Sequence, residues 1–89
     1  MPERDVAIVN KLGLHARAAS KFVTEAGRFE ADIRVSKDGR EVSGKSIMGV
    51  MMLAAARGSR IQISATGDDA DDALDALEAL VRNRFGEDQ

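Results

Sequence analysis

The spacing of apolar residues switches along the chain between the period of a strand and that of a helix, and each switch predicts an element. Val6, Ala7, Ile8 and Val9, in which β-branched residues dominate, predict a first strand over Asp5 to Asn10. Lys11 to Leu14 contains Gly13 and reads as a loop. Ala19, Phe22, Val23 and Ala26 then fall at i, i+3, i+4 and i+7, which predicts an amphipathic helix over Ala16 to Ala26 with Gly27 as its stop. Ile33 and Val35 flank Arg34, Asp38-Gly39 supplies a two-residue turn, and Glu41 to Ser43 is the return strand of a hairpin.

Gly44 breaks that strand, and Ser46 can cap a helix running through Ala56, with Gly58 just past its end. Gly49 inside this helix weakens it. From Arg60 to Thr66, Ile61, Ile63 and Ala65 alternate with Gln62 and Ser64, the pattern of a strand with one buried face. Asp68 and Asp69 precede a last helix whose stripe is Ala70, Ala73, Leu74, Leu77, Leu80, Val81 and Phe85. Its acidic start, Asp68 to Asp72, and the late Arg82 and Arg84 both suit the helix dipole. The order β-α-β-β-α-β-α has no linker, repeat or low-complexity stretch. It predicts an α+β fold: an open-faced β-sandwich in which a four-stranded antiparallel sheet carries three helices on one face, as a single domain over residues 1–89.

Composition narrows the chemistry. A domain of 89 residues buries only ~60% of the surface of its unfolded chain, which disfavours a large enclosed active site. The chain has no cysteine and one histidine, which excludes disulfides, thiolate metal sites and multi-histidine sites; no metal and no cofactor are expected. The first ten residues start polar and contain no long apolar run, so neither a signal peptide nor a membrane-spanning helix is expected, and a cytoplasmic setting fits. The net charge of −2 hides an asymmetry: residues 1–65 hold 11 Lys/Arg and 7 Asp/Glu, residues 66–89 hold 2 and 8. This is either an ordinary solvated surface with an acidic last helix or a basic face that steers an acidic partner. Three Phe without Trp or Tyr, and no stripe of Lys/Arg, argue against nucleic acid.

The one residue that invites chemistry is His15, between a Gly-containing loop and a helix start. There its ring should lie beside the backbone N–H groups of Ala16 and Arg17, which have no acceptor within the helix. A neutral imidazole nitrogen is a competent nucleophile towards phosphorus, and an unperturbed imidazole titrates near ~6.5, so much of it is uncharged at neutral pH. A phosphoryl group added to it would find donors at the helix start, worth ~0.3–1 kcal/mol through the dipole, with Arg17 as a fixed cation. The plain alternative is a surface or capping histidine. A Ser-His-Asp arrangement is not expected, since nothing in the sequence sets a nucleophile and an orienting acid around His15.

Two motifs, Gly13-Leu14-His15-Ala16-Arg17 before an amphipathic helix and Gly44-Lys45-Ser46-Ile47-Met48-Gly49-Val50-Met51 further on, resemble those of HPr, the histidine-containing phosphocarrier family of the bacterial phosphoenolpyruvate-dependent phosphotransferase system. The resemblance covers nearly the whole chain. It implies that enzyme I phosphorylates His15 on Nδ1, that Arg17 stabilises the product, and that an enzyme II A-type domain removes the group, so the chain is a carrier and not a stand-alone enzyme. Ala18 stands where many sugar-branch members have proline, and Leu12 replaces the small polar residue that often precedes the glycine. Both resemble the nitrogen-regulatory branch, NPr. Some shorter members end in a carboxylate near the active centre; Gly86 to Gln89 prolong this chain, and no role is expected of them.

Read from the residues alone, Ser46 is an N-cap. The resemblance adds that Gly44 to Met51 is similar to the sequence read by HPr kinase/phosphorylase, which implies regulatory phosphorylation of Ser46. A phosphoserine would add about −1.5 to −2 charge at a helix start, tolerated by the fold but opposed at a docking surface. That surface should include Ile47, Met48 and Met51, because a short helix cannot turn six large apolar residues to one sheet; Met52 is expected to fill a gap in the core. A different class of function remains open, a regulatory binding module acting through Ser46 and the Ile47–Met51 patch with little phosphoryl flux. A monomer is expected, since a carrier presents one face to several partners in turn.

Overall fold

The computed structural model describes residues 2–87. In chain order the elements are β1 (Glu3–Ala7), α1 (Ala16–Ala26), β2 (Asp32–Lys37), β3 (Arg40–Ser43), α2 (Ile47–Met52), β4 (Arg60–Thr66) and α3 (Ala70–Arg82), followed by a 3₁₀ turn at Arg84–Gly86. The strands form one sheet in the order β1-β4-β2-β3, every pair antiparallel. The helices cover one face of this sheet and leave the other open, the α+β open-faced sandwich that the periodicities predict.

Pairing follows the alternation of β4. Its Ile61 lies opposite Val6 of β1, while Ile63 and Ala65 lie opposite Val35 and Ile33 of β2. These residues are buried, so an apolar row crosses the sheet. Phe22 of α1 and Leu74, Leu77 and Val81 of α3 close over it without measurable exposure, and each such side chain contributes about 1.5–3 kcal/mol by leaving water. Asp38 and Gly39 both hold left-handed φ values, 52° and 83°, as a two-residue type I′ hairpin loop requires.

Three boundaries differ from the sequence pattern. The first strand begins at Glu3 and ends at Ala7, not over Asp5 to Asn10. Polar Glu3 and Arg4 pair with Ser64 and Ile63 along the sheet edge, and Arg4 reaches Asp75 and Glu78 of α3 at 2.9 and 2.8 Å. Just beyond Ala7 the chain stays tied through Ile8, whose N–H donates to the Ser59 carbonyl at 2.8 Å and whose carbonyl accepts from Gly58.

Helix α2 stops at Met52 instead of Ala56, because Ala54 takes a left-handed φ of 52°. The chain after it is needed elsewhere: the Ala55 carbonyl accepts the Leu14 N–H at 2.9 Å. A six-residue helix leaves only Val50 buried within it, and Met52, expected in the core, is 59% exposed. Phe85 is likewise not the last residue of a helical stripe. It is fully buried, but from a left-handed turn with φ 54°. Gly49 has a positive use, since a Cβ there would lie 3.1 Å from Val42 Cβ.

Asp69 precedes α3 without capping it; its two carboxylate oxygens accept the N–H groups of Glu30 and Ala31, both at 2.9 Å. The Glu30 bond, then the Ala31 bond against an opposing burial effect, hold this carboxyl below the ordinary aspartate range. A lowered folded-state value means stability that is present above the ordinary carboxylate range and lost as pH falls through and below it. Urea midpoints measured across the acid range should therefore fall less steeply in Asp69→Asn than in the native chain, with the variant less stable at neutral pH.

Candidate functional site

His15 is the N-cap of α1, with extended backbone (φ −75°, ψ 178°) and its carbonyl accepting the Ala19 N–H at 2.8 Å. Its side chain makes no capping bond, so the ring is free for other work. The approach of the chain to this position is fixed by Gly13, whose φ is +68°. A Cβ at Gly13 would stand 2.4 Å from the Ala55 carbonyl oxygen and 2.9 Å from Ala56 Cα. Only glycine permits that approach, and it is this approach that lets Leu14 bond to Ala55 and sets His15 at the helix start.

Lys11, Leu12, His15, Ala16, Arg17 and Glu87 line an open cleft of about 640 Å³. His15 Nε2 lies 2.6 Å from a Glu87 carboxylate oxygen, and among the described residues Nδ1 makes no hydrogen bond. The other Glu87 oxygen accepts from the Asn10 amide at 3.1 Å. The same Asn10 nitrogen also donates to the Gly13 carbonyl at 2.8 Å, so one fully buried side chain ties the strand exit, the loop and the C-terminal turn together. Burial pushes the Glu87 carboxyl up, but the Asn10 and His15 hydrogen bonds and the nearby Lys21 charge outweigh it and hold the group below the ordinary glutamate range.

The structure thus brings together His15, Ala16 and Arg17 as the sequence motif suggests, with the first amides of α1 available as anion donors. It corrects one expectation: an acid does stand beside His15, and it comes from the segment Gly86 to Gln89, to which no role was attached. Of that segment Asp88 and Gln89 lie outside the described residues. Glu87 is 72 positions from His15, so no local spacing could reveal it. Asn10 left a fainter trace, a polar residue ending an apolar run just before the loop.

Ser46 lies apart from the cleft as the exposed N-cap of α2, its Oγ accepting the Gly49 N–H at 3.1 Å. Ile47, Met48 and Met51 are all exposed on this helix, Met48 by 70%, and α2 packs against α1. Leu12, exposed by 68%, adds an apolar side chain at the cleft itself. Among the described residues no group of three or more His, Asp or Glu is placed to hold a metal ion.

Fold and cleft define a class, a small α+β sandwich that offers one imidazole in an open surface cleft. The family follows from comparison with known proteins. The family model "PTS HPr component phosphorylation site" matches residues 2–83. Phosphocarrier protein HPr of Cupriavidus necator is 53% identical over 87 residues, 98% of each chain, and phosphocarrier protein NPr of Shewanella violacea is 46% identical over 85 residues, 96% of this chain and 93% of that one. A solved HPr from Thermoanaerobacter tengcongensis superimposes with a TM-score of 0.96 at 45% identity over all of both chains, and an HPr dimer from the same organism with 0.79 at 46% identity, covering 98% of this chain and 100% of that one. The chain belongs to the HPr family of the phosphotransferase system, whose members are phosphocarriers and not stand-alone enzymes.

The Gly13 contact makes the site sensitive to a single methyl group. Gly13→Ala combines left-handed strain with overlap on backbone, and should lower unfolding free energy by about 2–4 kcal/mol. Urea denaturation measures the loss, and a displaced His15 signal in the NMR spectrum shows that it reaches the site.

Proposed function

We propose that the chain accepts a phosphoryl group from phosphorylated enzyme I on His15 and passes it to an enzyme II A-type acceptor, acting as one phosphocarrier domain over residues 1–89. The observation that carries this reading is the placement of the His15 ring in an open cleft with Arg17 and the first amides of α1. A nucleophilic nitrogen, a fixed cation and unsatisfied N–H donors are what a transient phosphohistidine needs. The backbone amides of Ala16 and Arg17 hold the phosphoryl oxygens, and the Arg17 guanidinium offsets their charge. An open cleft suits a group that must be handed from one protein to another.

Docking of both partners uses the exposed Ile47, Met48 and Met51 of α2, because exposed methionines adapt to more than one surface. Ser46, exposed at the head of the same helix, is the regulatory site, phosphorylated by HPr kinase/phosphorylase. A phosphate there is accommodated by the helix dipole but sets charge against an apolar contact, so it acts on docking and leaves the fold intact. The chain works in the cytoplasm and as a monomer, in contrast to the related HPr solved as a dimer.

The test is intact mass after incubation with phosphoenolpyruvate, magnesium and a bacterial enzyme I of either the sugar or the nitrogen branch. The native chain should gain one acid-labile phosphoryl group and His15→Ala none; no transfer from either enzyme I sinks the carrier role and leaves a binding module acting through Ser46. In the same assay Ser46→Asp should raise the enzyme I concentration needed for half-maximal rate by about tenfold, roughly 1.4 kcal/mol of lost docking, with an unchanged unfolding midpoint.

A further inference from the structure

The left-handed turn after α3 is costly. Arg84, Phe85 and Gly86 hold φ values of 56°, 54° and 78°, and side-chain-bearing residues in this region persist only where the surroundings impose it. Here they do: Phe85 is fully buried, and its carbonyl accepts the Lys21 ammonium at 2.6 Å. The turn returns the chain from the end of α3 to the loop before α1 and delivers Glu87 onto His15. Asn10 completes the latch, its amide nitrogen bridging Glu87 and the Gly13 carbonyl, while its buried Oδ1 has no partner among the described residues. A strained turn, a buried aromatic anchor and a buried amide all converge on one carboxylate.

An ionised carboxylate only accepts hydrogen bonds. At 2.6 Å from Glu87, Nε2 must carry the proton, and the lone pair of the neutral ring resides on Nδ1. We propose that Glu87 is a positioning residue for His15: latched by Asn10 and the strained turn, it keeps the proton on Nε2 and presents Nδ1 as the nucleophile. The proposal rests on the reading of His15 as the phosphoryl carrier. In the transfer, the Nδ1 lone pair forms the new N–P bond while the bond from phosphorus to the donor breaks and its electron pair returns to the donor. Nε2 keeps its proton throughout, and the positive charge that the ring acquires is met by the Glu87 carboxylate already in contact with it. On the onward step Nδ1 recovers its lone pair as the phosphoryl group leaves, with the proton still on Nε2. Because Glu87 bonds at Nε2, it does not occupy the nitrogen to which the phosphoryl group attaches.

His15 is the only histidine, so its ring nitrogens can be read without ambiguity in a uniformly ¹⁵N-labelled full-length chain. In weakly alkaline buffer the native protein should show one tautomer, with the proton on Nε2 and slow to exchange. Glu87→Ala should lose the slow-exchanging proton, mix the two tautomers and accept phosphoryl groups from enzyme I about tenfold more slowly, with its backbone amide spectrum otherwise retained; Glu87→Asp should recover part of both effects. A single Nε2–H tautomer and a native rate in Glu87→Ala would overturn the positioning role. If instead the native chain is never phosphorylated, the carrier reading falls, while the tautomer measurement still reports whether Glu87 holds the ring.

Discussion

The one-sided burial of β4 is the constraint on which the rest of this structure depends. Ile61, Ile63 and Ala65 point to one face between β1 and β2, with the small polar Ser64 buried on the other, and a strand whose apolar residues alternate must have its neighbours bury theirs on the same side. All three helices therefore share one layer, and the loops that enter them gather at the ends of that layer. The close approach of Gly13 to Ala55 is a product of this crowding: two loops meet where there is no room for a Cβ. The histidine that follows is set by backbone geometry before any side chain of the site contributes.

Much of this was legible in the sequence, and the parts that were legible share a cause. The bounds of α1 and β4, the Asp38-Gly39 turn and the capping role of Ser46 are all dictated by residues within a few positions of one another. The misplaced boundaries have the opposite origin. β1 starts early because polar Glu3 and Arg4 find partners on β4 and α3, distant in sequence. α2 stops early because Ala55 is claimed by Leu14. Met52, the last residue of α2, lies exposed while its neighbours Val50 and Leu53 are buried, and Phe85 reaches the core from a left-handed turn that no apolar period encodes. In each case a tertiary contact overrode a local preference.

The site divides along the same line. His15, Ala16 and Arg17 are consecutive, so a motif can carry them, and Ser46 with Ile47, Met48 and Met51 is nearly so. Glu87 and Asn10 meet His15 only through the folded chain. Family resemblance works on motifs of the first kind and says nothing of a contact made across 72 positions.

Charges of both signs meet around His15. Lys11, Arg17 and the amides at the start of α1 line the cleft, a setting that favours added negative charge. Glu87 lines it too, and its carboxylate opposes negative charge added next to it. Under the proposed transfer its bond to Nε2 resolves the conflict, because imidazole has two distinct nitrogens and one can hold the proton while the other is left for the phosphoryl group. Charge of both signs can then surround one residue without cancelling, provided that the carboxylate cannot swing across. A buried amide, a buried phenylalanine and a lysine on the turn's carbonyl are what prevent it from doing so.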